Sequence, residues 1–281
     1  MTEAPHDLPP APDPLPHPVV DNHCHLDIGR DGEPWDVRAA IDAATAVGVR
    51  RIVQIGCDLR RATWAVEAAR THPELVAGVA LHPNEAPRLA AAGGLDAALE
   101  AIAELAAVHP RVRAVGETGL DHYRTGPDGR AAQVASFAAH IDLAKRLDKT
   151  LVIHDRDAHQ EVLDVLDAEG APERWVMHCF SGDAAFARAC LDRGAYLSFA
   201  GTVTFKNAAP LRNALVVTPQ DRVLVETDAP YLTPHPYRGR TNGSYLVPLT
   251  VRAMAAERGE DLGDLCAAID ANTERAFGGA W

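Results

Sequence analysis

From residue 19 onward, short apolar runs alternate with longer stretches whose apolar residues recur at helical spacing. The short runs are rich in Val, Ile and Leu, which is typical of strands buried on both faces of a parallel sheet. The longer stretches are typical of helices that pack on such a sheet. The predicted strands begin at residues 19, 51, 75, 112, 150, 174, 195 and 222, and the predicted helices cover 36–47, 59–71, 95–107, 130–147, 157–168, 183–193, 207–215, 245–258 and 262–277.

Eight strand–helix units in succession predict an α/β fold. Parallel strands joined by crossover helices form either a closed barrel or an open sheet, and eight strands are enough to close a barrel. We therefore predict a (β/α)8 TIM barrel, a single domain that covers residues 19–281. An open, doubly wound sheet remains the alternative. The chain contains no GxGxxG and no GxxxxGK[ST] string, so neither dinucleotide nor P-loop binding is indicated.

Residues 1–18 lie outside this pattern. They include seven prolines and show no hydrophobic periodicity. Such a composition favours extended backbone and supplies too few apolar side chains for a core. We expect a disordered or extended leader here.

Charge and cysteine content narrow the possible functions. The formal net charge of −12 disfavours wrapping by nucleic acid over a broad basic surface, although it permits a pocket in which bound cations receive one phosphate. The five cysteines are an odd number and form no CxxC pair, which argues against a disulfide framework and a thiolate zinc site. No apolar run reaches the ~18 residues of a membrane span, and no export signal is apparent. We expect a cytoplasmic protein that needs no membrane and no obligate protein partner.

Polar residues able to bind metal stand where six of the eight apolar runs end. In a barrel of this kind, the carboxyl ends of the strands form the active face. A carboxylate or imidazole at the end of a buried strand is costly unless it is paired or coordinated. The residues are His23 and His25, His82, Glu117, His154, His178, and Glu226 with Asp228.

This spacing points to a metal centre. His23 and His25 are two residues apart, so on a strand both side chains point to one side and can share a cation. Glu226 and Asp228 repeat the same spacing with carboxylates. A ligand set of nitrogen and oxygen atoms suits Zn²⁺, Mn²⁺, Co²⁺ or Mg²⁺ and does not select among them.

Five strings in order along the chain closely resemble the TatD-type metal-dependent deoxyribonucleases. They are DNHCHLD (21–27), GETGLDHYR (116–124), HDRDAH (154–159), MHCFSG (177–182) and LVETDAPYLTP (224–234). The resemblance extends from about residue 19 to the end and includes YRGRTN (237–242). It implies a TIM barrel, two divalent metal ions, and nuclease activity that is often 3′→5′ on single-stranded DNA, so the ends of DNA are the expected substrate.

The resemblance also implies a role for each matching residue. One ion would be held by His23, His25, Glu117 and Asp228. Glu117 would bridge to a second ion, completed by His154 and His178. Glu226 matches a family carboxylate near the site, and we expect it to orient a ligand.

Two positions depart from the family pattern. The family often has a second histidine where this chain has Asn84, and Asp155 stands where Ser or Thr is more frequent. An amide cannot carry a proton at neutral pH as a histidine can, so a catalytic role at Asn84 is doubtful. Neither position belongs to the implied ligand set.

The expected mechanism is attack by water that the metal ions activate, with no Ser or Cys nucleophile required. Asp228 is the candidate general base, and Glu117 is the other candidate catalytic residue. We expect substrate contacts from five further side chains in or near the active face. These are His82, Arg156, Lys206, Arg238 and Arg240.

Two alternatives remain open on this evidence. The same ligands on the same fold also serve amidohydrolases and lactonases that act on small molecules. Those enzymes commonly bridge their ions with a carboxylated lysine on the fourth strand, where this chain has Glu117. A degenerate barrel kept as a binding scaffold is the third hypothesis, and the complete ligand set argues against it.

Overall fold

A computed structural model describes residues 8–29 and 35–279 of the chain. It contains eight strands and ten α-helices within those ranges. The strands are β1 (Val19–Cys24), β2 (Val49–Gly56), β3 (Leu75–Val79), β4 (Val112–Asp121), β5 (Thr150–Arg156), β6 (Trp175–Met177), β7 (Tyr196–Phe199) and β8 (Val223–Val225). The helices are α1 (Val37–Ala46), α2 (Leu59–Thr71), α3 (Glu85–Ala91), α4 (Leu95–Ala107), α5 (Pro127–Arg146), α6 (His159–Glu169), α7 (Ala184–Leu191), α8 (Ala209–Val217), α9 (Val247–Arg258) and α10 (Leu262–Ala276).

All eight strands are parallel neighbours in the order in which they occur along the chain. An open, doubly wound sheet would reverse its strand order at a switch point, so that alternative is excluded. The predicted single-domain (β/α)8 barrel is confirmed.

The barrel closes between β1 and the segment that follows β8. The Asn22 side-chain amide donates to the Val225 carbonyl at 2.6 Å, and the Asp228 N–H donates to the His23 carbonyl at 3.0 Å. The His25 N–H donates to the Ala229 carbonyl at 2.9 Å. These bonds bring the first and last predicted metal ligands to the same part of the rim.

The helices follow from local signals in the sequence. Asp58, Asp183 and Asp261 each accept backbone N–H groups at the start of α2, α7 and α10, as N-cap aspartates do. The inner face of α5 is buried through Phe137 and Ile141. The apolar strand residues and these helix faces together form the main core outside the barrel.

Two elements differ from the prediction. Helix α3 was not predicted, because it has only seven residues and contains Pro87. The proline lies in the first turn, where its missing N–H would have no intrahelical partner in any case. Strand β4 does not end at Glu117 but runs on to Asp121, with a register shift between Gly116 and Thr118.

Residues 8–18 are the described part of the leader that was expected to be disordered or extended. This part has no helix or strand, but it lies against the barrel with Leu15 buried. The Pro9 carbonyl accepts a hydrogen bond from the Tyr245 hydroxyl at 2.8 Å, and the Pro14 carbonyl accepts one from Arg252 at 2.9 Å. These two hydrogen bonds hold the proline-rich segment against the barrel. Residues 1–7 lie outside the described residues. Within the described part of the chain, no helix is long and apolar enough to cross a membrane.

Candidate metal centre

The six residues predicted to bind metal converge at the carboxyl ends of the strands. His23 lies near the end of β1 and His25 just beyond it, whereas His178 directly follows β6. Glu117 lies inside β4 and His154 inside β5, because both strands extend beyond these residues. The register shift at Glu117 is a bulge, which re-aims a side chain without ending the strand.

Glu117 is at the centre of the cluster, and its two carboxylate oxygens face different histidines. Oε2 lies 3.2 Å from Nε2 of His23 and 3.8 Å from Nε2 of His25. Oε1 lies 2.8 Å from Nδ1 of His154 and 3.6 Å from Nε2 of His178. One carboxylate therefore stands between two groups of imidazole nitrogens, as a glutamate that bridges two cations must.

Some of the buried donor atoms have no hydrogen-bond partner among the described residues, which favours a bound metal ion. Both ring nitrogens of His23 are buried and make no hydrogen bond, although Nε2 is close to Glu117. Buried polar atoms without a partner are costly, and a cation bound by Nε2 and Glu117 would give that nitrogen a partner. Imidazole and carboxylate are ligands that Zn²⁺, Mn²⁺ and Co²⁺ accept readily. The residues present thus fit a divalent metal centre.

Asp228 lies in the segment after β8. It completes the first group of donors, which also comprises His23, His25 and Oε2 of Glu117. Its Oδ1 lies 3.4 Å from Nε2 of His25 and 3.9 Å from Nε2 of His23. Its backbone is left-handed, with φ of 54°, a conformation that Asp tolerates better than most residues. The hydrogen bond from its N–H to the His23 carbonyl holds this turn in place.

Glu226 contacts the cluster through His178. Its Oε1 lies 2.8 Å from Nδ1 of His178, which leaves Nε2 of that ring directed at Glu117. A carboxylate behind a ligating imidazole fixes the orientation of the ring and increases its basicity. The orienting role of Glu226 stays a prediction. His178 also stacks on His23, with ring centroids 3.6 Å apart.

His82 lies closer to the donors than its predicted substrate role requires. Its Nδ1 accepts the Asn84 N–H at 3.1 Å, and its Nε2 lies 3.3 Å from Oε1 of Glu117. With Glu117 and His154 it forms a third set of atoms able to hold an ion. The sequence placed this histidine just after β3 but gave no sign of its distance from Glu117, which depends on the turn that the Asn84 N–H stabilises.

Two further side chains at the centre were not predicted. Asp121 ends β4 and presents Oδ2 at 3.5 Å from Nε2 of His154, while accepting the Asn84 amide at 3.1 Å. Cys57, just after β2, places its Sγ 3.5 Å from Oε2 of Glu117. The string GETGLDHYR contains Asp121, so the sequence could have indicated this residue. Nothing in the sequence indicated that Cys57 would lie at the centre.

Burial and neighbouring groups shift the pKa values of several side chains in the cluster. Burial opposes protonation of His154, but hydrogen bonds with Asp121 and Glu117 raise its pKa to about 9. Burial, reinforced by the neighbouring His178, lowers the pKa of His23 to about 3. Burial alone would raise the pKa of Glu117, but the surrounding histidines hold that pKa well below its usual range. Metal binds the carboxylate and neutral imidazoles, so its binding must displace the proton that His154 holds at neutral pH.

The four basic residues that were predicted to contact substrate have different surroundings. The Arg156 guanidinium lies over the Tyr123 ring, 3.9 Å from its centroid, and the Arg238 guanidinium lies 4.4 Å from the centroid of Phe205. Lys206 is exposed in the segment between β7 and α8. Arg240 donates to the Leu8 carbonyl at 2.8 Å, so it contacts the leader.

Comparison with known proteins assigns this arrangement to a family. Residues 20–278 match the family described as TatD related DNase. The chain belongs to this family. It is 47% identical over 267 residues to a protein of Mycobacterium tuberculosis named as the uncharacterized metal-dependent hydrolase TatD, covering 94% of this chain and 99% of that protein.

Two further TatD relatives extend the comparison. The chain is 35% identical to the protein named 3′-5′ ssDNA/RNA exonuclease TatD of Escherichia fergusonii, over 85% of this chain and 91% of that protein. The crystal structure of YjjV, a TatD homologue from Escherichia coli, superposes with a TM-score of 0.84 at 25% identity, covering 92% of this chain and 97% of that one. This chain is therefore a TatD-family metal-dependent hydrolase, and the resemblance seen in its motifs is confirmed.

Proposed function

We propose that this TatD-family hydrolase cleaves phosphodiester bonds at the 3′ ends of single-stranded nucleic acid, using two divalent metal ions. The main support is the position of Glu117, whose Oε2 faces His23 and His25 while Oε1 faces His154 and His178. That geometry suits a pair of cations sharing one carboxylate. The name of the E. fergusonii relative supports the choice of substrate.

The proposed ligands are those that the motifs implied. His23, His25, Glu117 and Asp228 would hold one ion, and Glu117, His154 and His178 the other. His82 lies near enough to Glu117 to serve the second ion as well. When bound, such a pair of ions neutralises the phosphodiester and lowers the pKa of an attacking water.

Asp228 is the side chain best placed to move a proton. It has the highest side-chain exposure in the first donor group, 16% against 0% for His23 and 5% for His25, so a water can reach it. We propose that Oδ1 accepts the proton of the attacking water. Glu226 keeps His178 oriented through Nδ1 and stays out of contact with substrate, because it is fully buried.

The test is an assay of purified protein, loaded with each metal in turn, on end-labelled single- and double-stranded DNA. A parallel series uses ester, lactone and amide substrates. We expect shortening of single strands from the 3′ end, loss of activity with EDTA, and recovery when metal is added back. Faster turnover of a lactone or amide than of DNA would instead favour the small-molecule hydrolase.

Glu117→Gln tests the bridging carboxylate directly. The amide keeps the size of the side chain but lacks the second anionic oxygen, so we expect activity to fall at least ~100-fold and bound metal to drop below two ions per chain. Glu169→Gln, an exposed position at the end of α6, is the matched control. Near-normal turnover and metal content in the Glu117 variant would refute the two-metal proposal.

A further inference from the structure

Two tyrosines in the loops that follow β4 and β8 have strongly exposed side chains. Tyr123 is 65% exposed and Tyr231 is 51% exposed. Among the described residues, only three other large apolar side chains are exposed to a comparable degree: Leu8, Val108 and Val216. An exposed aromatic ring keeps a large, flat apolar face available for contact with a ligand.

Tyr231 is held rigidly beside the first group of donors. Its N–H donates to the Asp228 carbonyl at 2.9 Å, and its own carbonyl accepts the Asn242 amide at 2.6 Å. Its ring centroid lies 6.5 Å from that of His25. The backbone is therefore fixed on both sides of the residue while the ring extends into solvent next to a proposed ligand.

Tyr123 lies in the loop after β4, close in sequence to the second group of donors, which comprises Oε1 of Glu117, His154 and His178. It follows Asp121, whose Oδ2 is 3.5 Å from His154. The loop is fixed by hydrogen bonds from the His122 N–H to the Arg156 carbonyl at 2.9 Å and from the Arg124 N–H to Oδ1 of Asp121 at 2.8 Å. The Arg156 guanidinium lies over the ring at 3.9 Å, which adds positive charge where a phosphate would pass.

The strand order places the loops that carry Tyr123 and Tyr231 on opposite sides of the barrel rim. Tyr123 follows β4 and Tyr231 follows β8, and these strands are four positions apart in an eight-stranded barrel. Glu117 lies on β4 and Asp228 follows β8, so each of these two loops begins beside part of the donor cluster. A nucleic-acid strand whose scissile phosphate lies at the donor cluster would therefore have one flanking nucleoside near each ring.

We propose that Tyr123 and Tyr231 each stack on one of the two nucleobases that flank the scissile phosphate. This inference rests on the proposed nuclease function and defines its substrate further. A stacked base must be unpaired, so the rings would select single-stranded ends. Stacking recognises the base and ignores the 2′-hydroxyl, so DNA and RNA ends would both be accepted.

The test compares the wild type with Tyr123→Leu and Tyr231→Leu on a short single-stranded oligonucleotide. The same sequence is also prepared with an abasic site at the terminal or at the penultimate 3′ position. Stacking acts equally on bound substrate and transition state, so each Leu variant should raise KM roughly 5- to 100-fold with little change in kcat. Tyr→Phe at each position keeps the ring and should stay close to wild type.

The abasic substrates distinguish stacking from a structural effect. Wild type should lose the same factor in KM when one base is removed, and the Leu variant of the matching tyrosine should then cause no further loss. Equal losses for a Leu variant on intact and both abasic substrates, or unchanged KM in the Leu variants, would overturn the proposal. The abasic arms with wild type remain informative even if a variant folds poorly.

Failure of the nuclease proposal gives a different result. If the metal-loaded protein cleaves no oligonucleotide, binding of the labelled intact and abasic strands is measured by fluorescence anisotropy. Weaker binding of the abasic strands, reproduced by the Leu variants on the intact strand, would support the stacking role without the cleavage. Equal binding of all strands, or no binding at all, would reject it.

Discussion

His140 offers a test of the packing that positions His82, the histidine after β3. It lies on α5, is fully buried, and accepts the Leu81 N–H at Nε2 over 3.1 Å. Its Nδ1 faces the Ser136 carbonyl at 2.6 Å, so Nδ1 carries the proton and donates there. Because Leu81 precedes His82, this neutral ring anchors the segment that brings His82 to Glu117.

Protonation of His140 is strongly disfavoured in the folded protein. Burial lowers its pKa from the ordinary 6.5 to about 4, with the Ser136 hydrogen bond only partly opposing the change. A second ring proton at Nε2 would also face the Leu81 N–H. Between these two pKa values the unfolded chain binds a proton that the folded chain does not, so the free energy of unfolding falls as the pH falls.

The magnitude follows from the difference between the two pKa values. Above pH 7 both states are neutral and His140 contributes no pH dependence. At pH 5 the imidazole of the unfolded chain is almost fully protonated and the folded one is mostly neutral, which amounts to a loss of about 2 kcal/mol. Below pH 4 both states bind the proton, and the loss in the free energy of unfolding levels off at about 3 kcal/mol.

The assay is urea unfolding in EDTA at pH 8 and pH 5, for wild type and His140→Gln. The glutamine does not titrate, and its side-chain oxygen can accept from Leu81. The other titrating groups are common to both proteins and cancel in the comparison. We expect wild type to lose about 2 kcal/mol more than the variant between the two pH values. Parallel pH dependence in the two proteins would refute the reasoning.

Other substitutions test the support around the donors. Glu226→Gln should weaken metal binding about 10- to 100-fold, measured by competition with a chromophoric chelator, because His178 loses its anionic partner; unchanged affinity would contradict the orienting role. Gly119 has a φ of 138°, and Gly119→Ala would place a Cβ 2.1 Å from the His154 carbonyl oxygen. Urea unfolding should show that this variant loses about 1–3 kcal/mol of the free energy of unfolding. Gly126→Ala, which has open space around the added Cβ, is the control and should lose less. Thr227→Val removes a hydroxyl that donates to Asp21 at 2.6 Å, and it should lower the free energy of unfolding by a similar amount, about 1–3 kcal/mol; a variant as stable as wild type would show that the bond is dispensable.

The fold was predictable because its signals are local and repeated. Strands buried on both faces produce apolar runs, and each helix carries its own apolar face. The donors were predictable for a related reason, since His154 and His178 interrupt or end runs that are otherwise apolar. Helix α3 escaped detection because seven residues with an internal proline produce too little periodicity.

What the sequence could not supply depends on the closed barrel. The bulge at Glu117 arises from its pairing with β5, so its place inside a longer strand was not visible in VRAVGE. The orientation of His82 depends on a turn after β3. The exposure of Tyr123 and Tyr231 depends on which loops surround them, and an aromatic content of 5% gave no indication that two rings would flank the donors.

The closure of the barrel links the two ends of the donor set physically. Strand β8 ends at Val225, so β1 is bound to the following segment largely by side chains and single backbone bonds. Asp21 is fully buried and accepts both the N–H and the hydroxyl of Thr227, at 2.9 and 2.6 Å. Those bonds hold the chain where Asp228 turns toward His23 and His25. The seam that completes the fold therefore also positions the proposed proton acceptor, so damage to the seam should impair stability and metal binding together.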